Sequence, residues 1–258
     1  MKKYLILVAA VFLLSSCSNR PNDKGEYVIK PGNSTKELHV KYTADGNIEY
    51  IQEYKDGKPD GMLMNYHKKN PKNISFIEND KNQGCGVVFH NNGNVNNFGQ
   101  YVDGQKTGWF YVFNNDEIMT GKREYLKVEG KEFLNQWIEY ASDGSINQKE
   151  SNYIKVSPAA EQIKQGEDFV MNVSLEAAYF KAYMIIVVGP FDANYALPAN
   201  AKCDTVKAVN FVATYKTKTY NKGKNTLRGM VQDLRPDEKD PKKINVRKIY
   251  FSQEFKVE

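Results

Sequence analysis

Five aromatic residues, Tyr42, Tyr66, Phe89, Phe113 and Tyr140, recur at spacings of 24, 23, 24 and 27. A period of that length commits a chain to building one small supersecondary unit and stacking copies of it. Three residues after Tyr42, Phe89 and Tyr140 come the turn pairs Asp45-Gly46, Asn92-Gly93 and Asp143-Gly144, with weaker versions Lys69-Asn70 and Asp116-Glu117 in the other two copies. Eleven or twelve residues after each of the first four aromatics stands another bulky residue, Tyr54, Ile77, Tyr101 or Tyr125. A second turn follows: Asp56-Gly57 with Gly61, Asp103-Gly104 with Gly108, and in the middle copy Asp80 with Gly84. In the last copy Asn135 replaces the glycine, and the spacing of 27 points to an insertion near residues 128–131.

Each unit therefore holds two strand-like runs and two tight turns, the pattern of a β-hairpin linked to the next hairpin. Asn-Gly and Asp-Gly tolerate positive φ, so the chain reverses without splaying its twisted strands. Between turns, runs such as Trp109-Phe110-Tyr111-Val112-Phe113 supply aromatic and β-branched residues suited to a pleated surface. One hairpin cannot bury its apolar face alone, so the repeated aromatics should stack from copy to copy into a twisted antiparallel sheet. The Tyr-x-Asp-Gly-x-x-x-Gly and aromatic-x-x-Asn/Asp-Gly units resemble MORN repeats over about residues 38–146, with three or four copies. That resemblance implies an interaction or scaffold module, in some members directed at lipid headgroups or membrane-associated assemblies, and no reaction. If Tyr54, Tyr101, Trp109, Tyr111, Tyr125 and Trp137 lie exposed on one sheet face, they form a candidate surface for a protein or for stacking on sugars; packing in the core is the other reading.

From Ser151 the period stops. Strand-like runs at 153–156, 169–175, 182–188, 205–214, 226–234 and 244–257 alternate with Pro and Gly turn signals, and only 159–164 leaves room for a helical turn. About seven strands in this half imply a β-sandwich. The runs Gly166 to Val173 and Gly223 to Val231 resemble strands of bacterial Ig-like or fibronectin-like domains, although this half has one cysteine and no tryptophan.

The N-terminus adds an address. Lys2-Lys3, the apolar run Tyr4 to Leu14 and Leu14-Ser15-Ser16-Cys17 resemble a bacterial lipoprotein signal peptide with its lipobox, too short for a membrane span of about 20 residues. Cleavage would leave Cys17 first, its thiol carrying the diacylglyceryl chain. By the same resemblance Ser18, where an aspartate favours the inner membrane, directs the protein to the outer membrane. The expected organisation is mainly β: signal peptide 1–16, lipidated cysteine and tether 17–36, antiparallel MORN-like hairpin repeat 37–150, Ig-like sandwich 151–258. Lipid anchoring outside the cytoplasm fits poorly with the antitoxin label that many MORN-variant relatives carry.

Charge and motifs narrow the chemistry. Residues 17–151 carry 17 basic and 19 acidic side chains, and 152–258 carry 17 and 12, with no block that calls for nucleic acid. The motifs HExxH, GxSxG, P-loop and GxGxxG are all missing from the sequence. Cys85 and Cys203 form no CxxC; an oxidising compartment permits a bridge between them, and their spacing does not demand one. His67 and His90 share a repeat position, but equivalent strands two apart lie about 10 Å from each other, so one metal does not bridge them. Asp204-Thr205-Val206 resembles an O-glycosylation sequon of exported bacterial proteins. The expectation is a non-enzymatic envelope lipoprotein without cofactor or metal. It is held at the membrane by Cys17 and binds a protein partner; a carbohydrate-binding accessory protein is the alternative and a hydrolase the third reading.

Overall fold

The computed structural model describes residues 21–258 apart from Asn33, Thr219, Tyr220 and Pro241; the expected cleavage and lipidation site at Cys17 lies outside them. Every regular element among the described residues is a β-strand. The chain divides into two compact units, one reaching to residue 106 with 110–119, the other made of 107–109 and 120–258.

The first unit is a meander in which strands neighbour in chain order. β1 (Glu26–Ile29), β2 (Lys36–Tyr42), β3 (Ile48–Lys55), β4 (Lys58–His67) and β5 (Asn70–Glu78) pair successively. The two-residue β6 (Lys81–Asn82) folds back on β5; β7 (Gly84–Phe89), β8 (Val95–Val102) and β9 (Gln105–Phe113) continue the order. The repeat aromatics Tyr42, Phe89 and Phe113 each end a strand. After each of them the chain makes the same turn: the N–H of Thr43, His90 and Asn114 donates to the carbonyl four residues on, and that of Gly46, Gly93 and Glu117 donates three residues back. Glu117 occupies the glycine position at a φ of 62°, so the turn persists where its sequence signal has faded.

The alternate turns reverse on two residues of positive φ, the geometry that matches strand twist. They fall at Asp56-Gly57, Asn79-Asp80 and Asp103-Gly104. Glycine also admits rings: a Cβ on Gly99 would lie 2.5 Å from Phe110, whose ring covers that backbone.

The second unit contains the last hairpin and two further sheets. β10 (Met119–Val128) and β11 (Lys131–Glu139) join through Glu129-Gly130, again at positive φ. One sheet runs β12 (Tyr153–Pro158), β14 (Asp168–Ala177), β17 (Val212–Lys218). The other has the order β13 (Gln162–Ile163), β19 (Ile244–Val257), β18 (Gly223–Pro236), β15 (Tyr183–Gly189), β16 (Asp204–Lys207). Strict alternation, as in Phe169, Met171, Val173 and Leu175 of β14, aims one side of each sheet into a common core with Met184, Ile186, Val231, Ile249 and Phe251. Each such side chain contributes about 1.5–3 kcal/mol by leaving water.

Two local expectations change. Residues 205–214 do not form one strand: Asn210 and Phe211 take positive φ, and the chain passes from β16 in one sheet to β17 in the other. Asn210 is the one hint of that break, since Asn tolerates positive φ, but Val209 and Phe211 on either side favour strands and mask it. Residues 159–164 supply no helical turn; Gln162–Ile163 instead pairs parallel with Lys256 and Val257.

Candidate functional site

The six aromatics singled out from the repeat are all partly buried. Tyr54 stacks on His39 with ring centroids 3.9 Å apart. Tyr101 meets Phe110 edge-on at 5.4 Å, whereas Tyr111 stacks on Phe98 at 5.1 Å. Because alternate residues of a strand face opposite ways, Tyr101 with Phe110 and Tyr111 with Phe98 occupy opposite faces of the sheet. Phe113 joins the second group, 5.8 Å from Phe98, making a short row of half-exposed rings. In the second unit the Lys122 ammonium lies 4.6 Å from the Trp109 ring, Tyr125 sits at the register shift in β10, and Arg247 lies over Trp137 at 5.1 Å. The Trp137 indole N–H donates to the Glu150 carbonyl.

A polar cluster occupies the β1–β3 end of the first unit. Glu26, 2% exposed, accepts hydrogen bonds from Asn22, from the Tyr50 hydroxyl and from His39 Nδ1 at 3.0 Å. His39 Nε2 lies 3.1 Å from Glu37, which also pairs with Lys30. Burial pushes the Glu26 carboxyl up, but the bonds from Tyr50, Asn22 and His39 outweigh it and bring it down to about 2. Burial and the adjacent Glu26 raise the Tyr50 phenol. The two carboxylates sit at opposite nitrogens of the imidazole, so the three side chains do not converge on one point.

A second cluster lies where the last hairpin meets the C-terminal sheets. Tyr125 pairs with Leu134 and Glu124 with Gln136, which leaves Asn135 as the extra residue of a β-bulge. Its side chain, fully buried, behaves like a strand neighbour of β19: Oδ1 accepts from the Tyr250 N–H at 2.7 Å and Nδ2 donates to the Tyr250 carbonyl at 2.9 Å. Nδ2 also donates to Glu124 at 2.6 Å. Arg247 then ties the parts together, donating to Asn152 Oδ1 and to the carbonyls of Leu134 and Asn135. Burial lowers the Arg247 guanidinium to about 10 against an opposing pull from Asp233. Asp233 itself is fully buried, accepts the Phe180 N–H, and is raised by burial more than its donors and Arg247 lower it.

Sequence reasoning noted Asn135 as a departure from the repeat. It missed Glu26, Arg247, Asp233 and Asn152. Arg247 and Asp233 showed only as ionisable groups within strand-like runs, whereas Asn152 fell outside them and Glu26 fell in the expected tether, where the structure has the start of β1. His67 and His90 are not brought together with His39: the His90 ring bonds the Phe113 carbonyl at 2.9 Å, and His67 is exposed. Cys85 and Cys203 are free thiols, and Thr205 is exposed on β16. The Glu26 cluster is chemically suited to holding strands in register, since its donors and acceptors are spent on one another and on backbone groups; in the Arg247 cluster the guanidinium and the amides join strands in the same way, while Asp233 Oδ1 is buried without a hydrogen-bond partner. No family model matches the chain, and no curated protein matches it.

Proposed function

We propose that this chain is a lipid-anchored lipoprotein of the outer membrane, attached through Cys17, whose MORN-like hairpin repeat and Ig-like C-terminal part act as a non-catalytic interaction or scaffold module. The observation that carries the reading is the stacked, half-exposed row Phe98, Tyr111 and Phe113 on one face of a regular hairpin sheet. Aromatic rings on a rigid backbone offer large contact area at small entropic cost, which suits recognition of a protein surface. The recurring turn hydrogen bonds support the repeat reading, because they hold successive hairpins in one geometry.

Whole-cell crosslinking followed by co-purification tests the proposal. A stoichiometric protein partner that is lost on Tyr111→Ala supports it. Retention on a glycan array without a protein partner, also lost on Tyr111→Ala, replaces it with the carbohydrate-binding reading. The anchor is tested separately: Cys17→Ser should leave the membrane fraction, and a variant that stays there removes the lipid from the account.

A further inference from the structure

Within the second unit, the last hairpin, β12, β19 and the loop at 190–196 enclose a cleft of about 270 Å³. Glu124 lies at its polar end. One carboxylate oxygen accepts two amide N–H groups, from Asn135 at 2.6 Å and Gln136 at 2.8 Å. The Gln136 amide is itself oriented, since its oxygen accepts the Ile154 N–H at 3.0 Å. The carboxylate is thus aimed by neutral donors, and among the described residues no lysine or arginine forms an ion pair with it. Arg228 acts from the Tyr195 side without pairing with Glu124.

The walls favour a cation with an apolar stem. Tyr195 and Tyr250 line the cleft with ring centroids 5.0 Å apart, and Leu126 and Ile154 supply aliphatic surface. Tyr195 is held there at a cost: its φ is 57°, unusual for a bulky residue. Asp192 fixes that conformation by accepting the N–H groups of Asn194 and Ala196 on its side chain and that of Tyr195 on its carbonyl. Burial and the charge of Glu124 raise the Tyr195 phenol against a pull from Arg228, so it remains a neutral ring beside the carboxylate.

We propose that this cleft binds a primary ammonium group on a short aliphatic stem, with Glu124 taking the charge, Tyr195 and Tyr250 offering their rings, and Leu126 and Ile154 contacting the stem. A carboxylate supplies the counter-charge, aromatic faces attract the cation, and a stem of about four carbons fits the space. Such a group comes from a free amine or from a lysine side chain of a partner; the site goes beyond the scaffold reading and does not depend on it.

Titration of the full-length chain with n-butylammonium, followed by backbone amide chemical shifts, tests the site. Saturable shifts are expected at Glu124, Gln136, Tyr195 and Tyr250 with a dissociation constant on the order of millimolar, the range for a ligand of few atoms. Neutral 1-pentanol should bind at least about tenfold more weakly. Glu124→Gln keeps an acceptor for both amides and should also weaken n-butylammonium about tenfold with an unchanged melting temperature. If that variant is destabilised, the native chain decides: n-butylammonium binding no tighter than 1-pentanol overturns the site, and a difference of about tenfold or more supports it. A lysine residue blocked at both backbone ends distinguishes the sources: binding as tight as that of n-butylammonium assigns the site to a peptide-borne lysine, and exclusion assigns it to a free amine. No saturable shift in this cleft, or equal binding by Glu124→Gln and the native chain, overturns the proposal.

Discussion

The two units solve the burial problem in opposite ways. In the first, Val40 and Phe110 are the only described apolar side chains that are buried, and Glu26, His39, Gln52 and Ser75 are buried as well. In the second, Phe169, Met171, Val173, Ile186, Val231 and Ile249 all lie at 0% exposure in one shared core. A single sheet of hairpins has no second layer to press against, so its order comes from turns, ring contacts and hydrogen bonds between neighbouring strands. The two-sheet core draws instead on apolar burial. The comparison teaches that one repeat period can serve both schemes, because the last hairpin, built on the same pattern, is packed with the second.

What changes in that hairpin is small. Three extra residues lengthen it: β10 gains two before its turn and β11 one after it, and Asn135, at the glycine position, bulges out of register. The longer tip places Leu126, Val128 and Phe133 against Tyr250, Phe191 and Tyr195, and the Glu129 N–H donates to the Asn194 carbonyl. The bulge turns an amide toward β19 where the earlier copies have Gly61, Gly84 and Gly108. An insertion and one substitution thus convert a repeat into a docking element.

The strongest way to break the comparison is to remove the knot that this hairpin makes with β12 and β19. Arg247→Met deletes the donors to Asn152, Leu134 and Asn135 while leaving Asp233 buried. A loss of about 3–5 kcal/mol is expected for the second unit, because three acceptors lose a charged donor at about 1–3 kcal/mol each. Trp109 and Trp137 both belong to that unit, so tryptophan fluorescence during urea unfolding reads it directly. A loss below about 1 kcal/mol would mean that the network is ornamental.

Asn135→Gly restores the residue type of the earlier copies and should cost about 2–4 kcal/mol, because the buried Tyr250 N–H and carbonyl lose their partner at once. If the variant is as stable as the native chain, the bulge rather than its amide docks the hairpin. These two sites also show what was legible. Turns carrying Asp-Gly or Asn-Gly could be read directly, since positive φ demands particular residues. The insertion and the lost glycine were visible as irregularities, but their purpose was not: Asn135 meets Tyr250 across 115 positions and Arg247 meets Asn152 across 95. Such contacts depend on which strands become neighbours, and no local pattern encodes that. Glu26 and His39 were hidden for a milder version of the same reason, since the β1–β2 register brings them together over 13 residues.

Acid should separate the units by sign. Glu26 titrates near 2 in the folded protein against an ordinary value of 4.5, so its stabilisation is present above about pH 4.5 and is lost as pH falls toward 2. The loss is on the order of 2–3 kcal/mol for a carboxylate this buried. Asp233 is raised instead, so the folded second unit binds its proton more readily than the unfolded chain and gains stability as pH falls toward 3.8. Hydrogen exchange at the amides of Val40 and Gln52 should accelerate between pH 4.5 and 2, after correction for intrinsic rates, while tryptophan-detected stability of the second unit should not fall between neutral pH and about 4. Simultaneous acid loss in both would show that Glu26 is not what distinguishes them. Glu26→Gln should flatten the response of the first unit alone.

The smallest effect sharpens the comparison from the surface. Lys122 lies over Trp109, both partly buried and in reach of water, a pairing that buried networks such as Arg247's do not need. Lys122→Ala should cost about 0.5–1 kcal/mol, the worth of a cation over a ring in contact with water, and should shift the Trp109 emission without altering urea cooperativity. A cost comparable to that of Asn135→Gly would contradict the ranking, because it would place as much of the hairpin's attachment in a solvent-screened contact as in the hydrogen bonds of a side chain at 0% exposure.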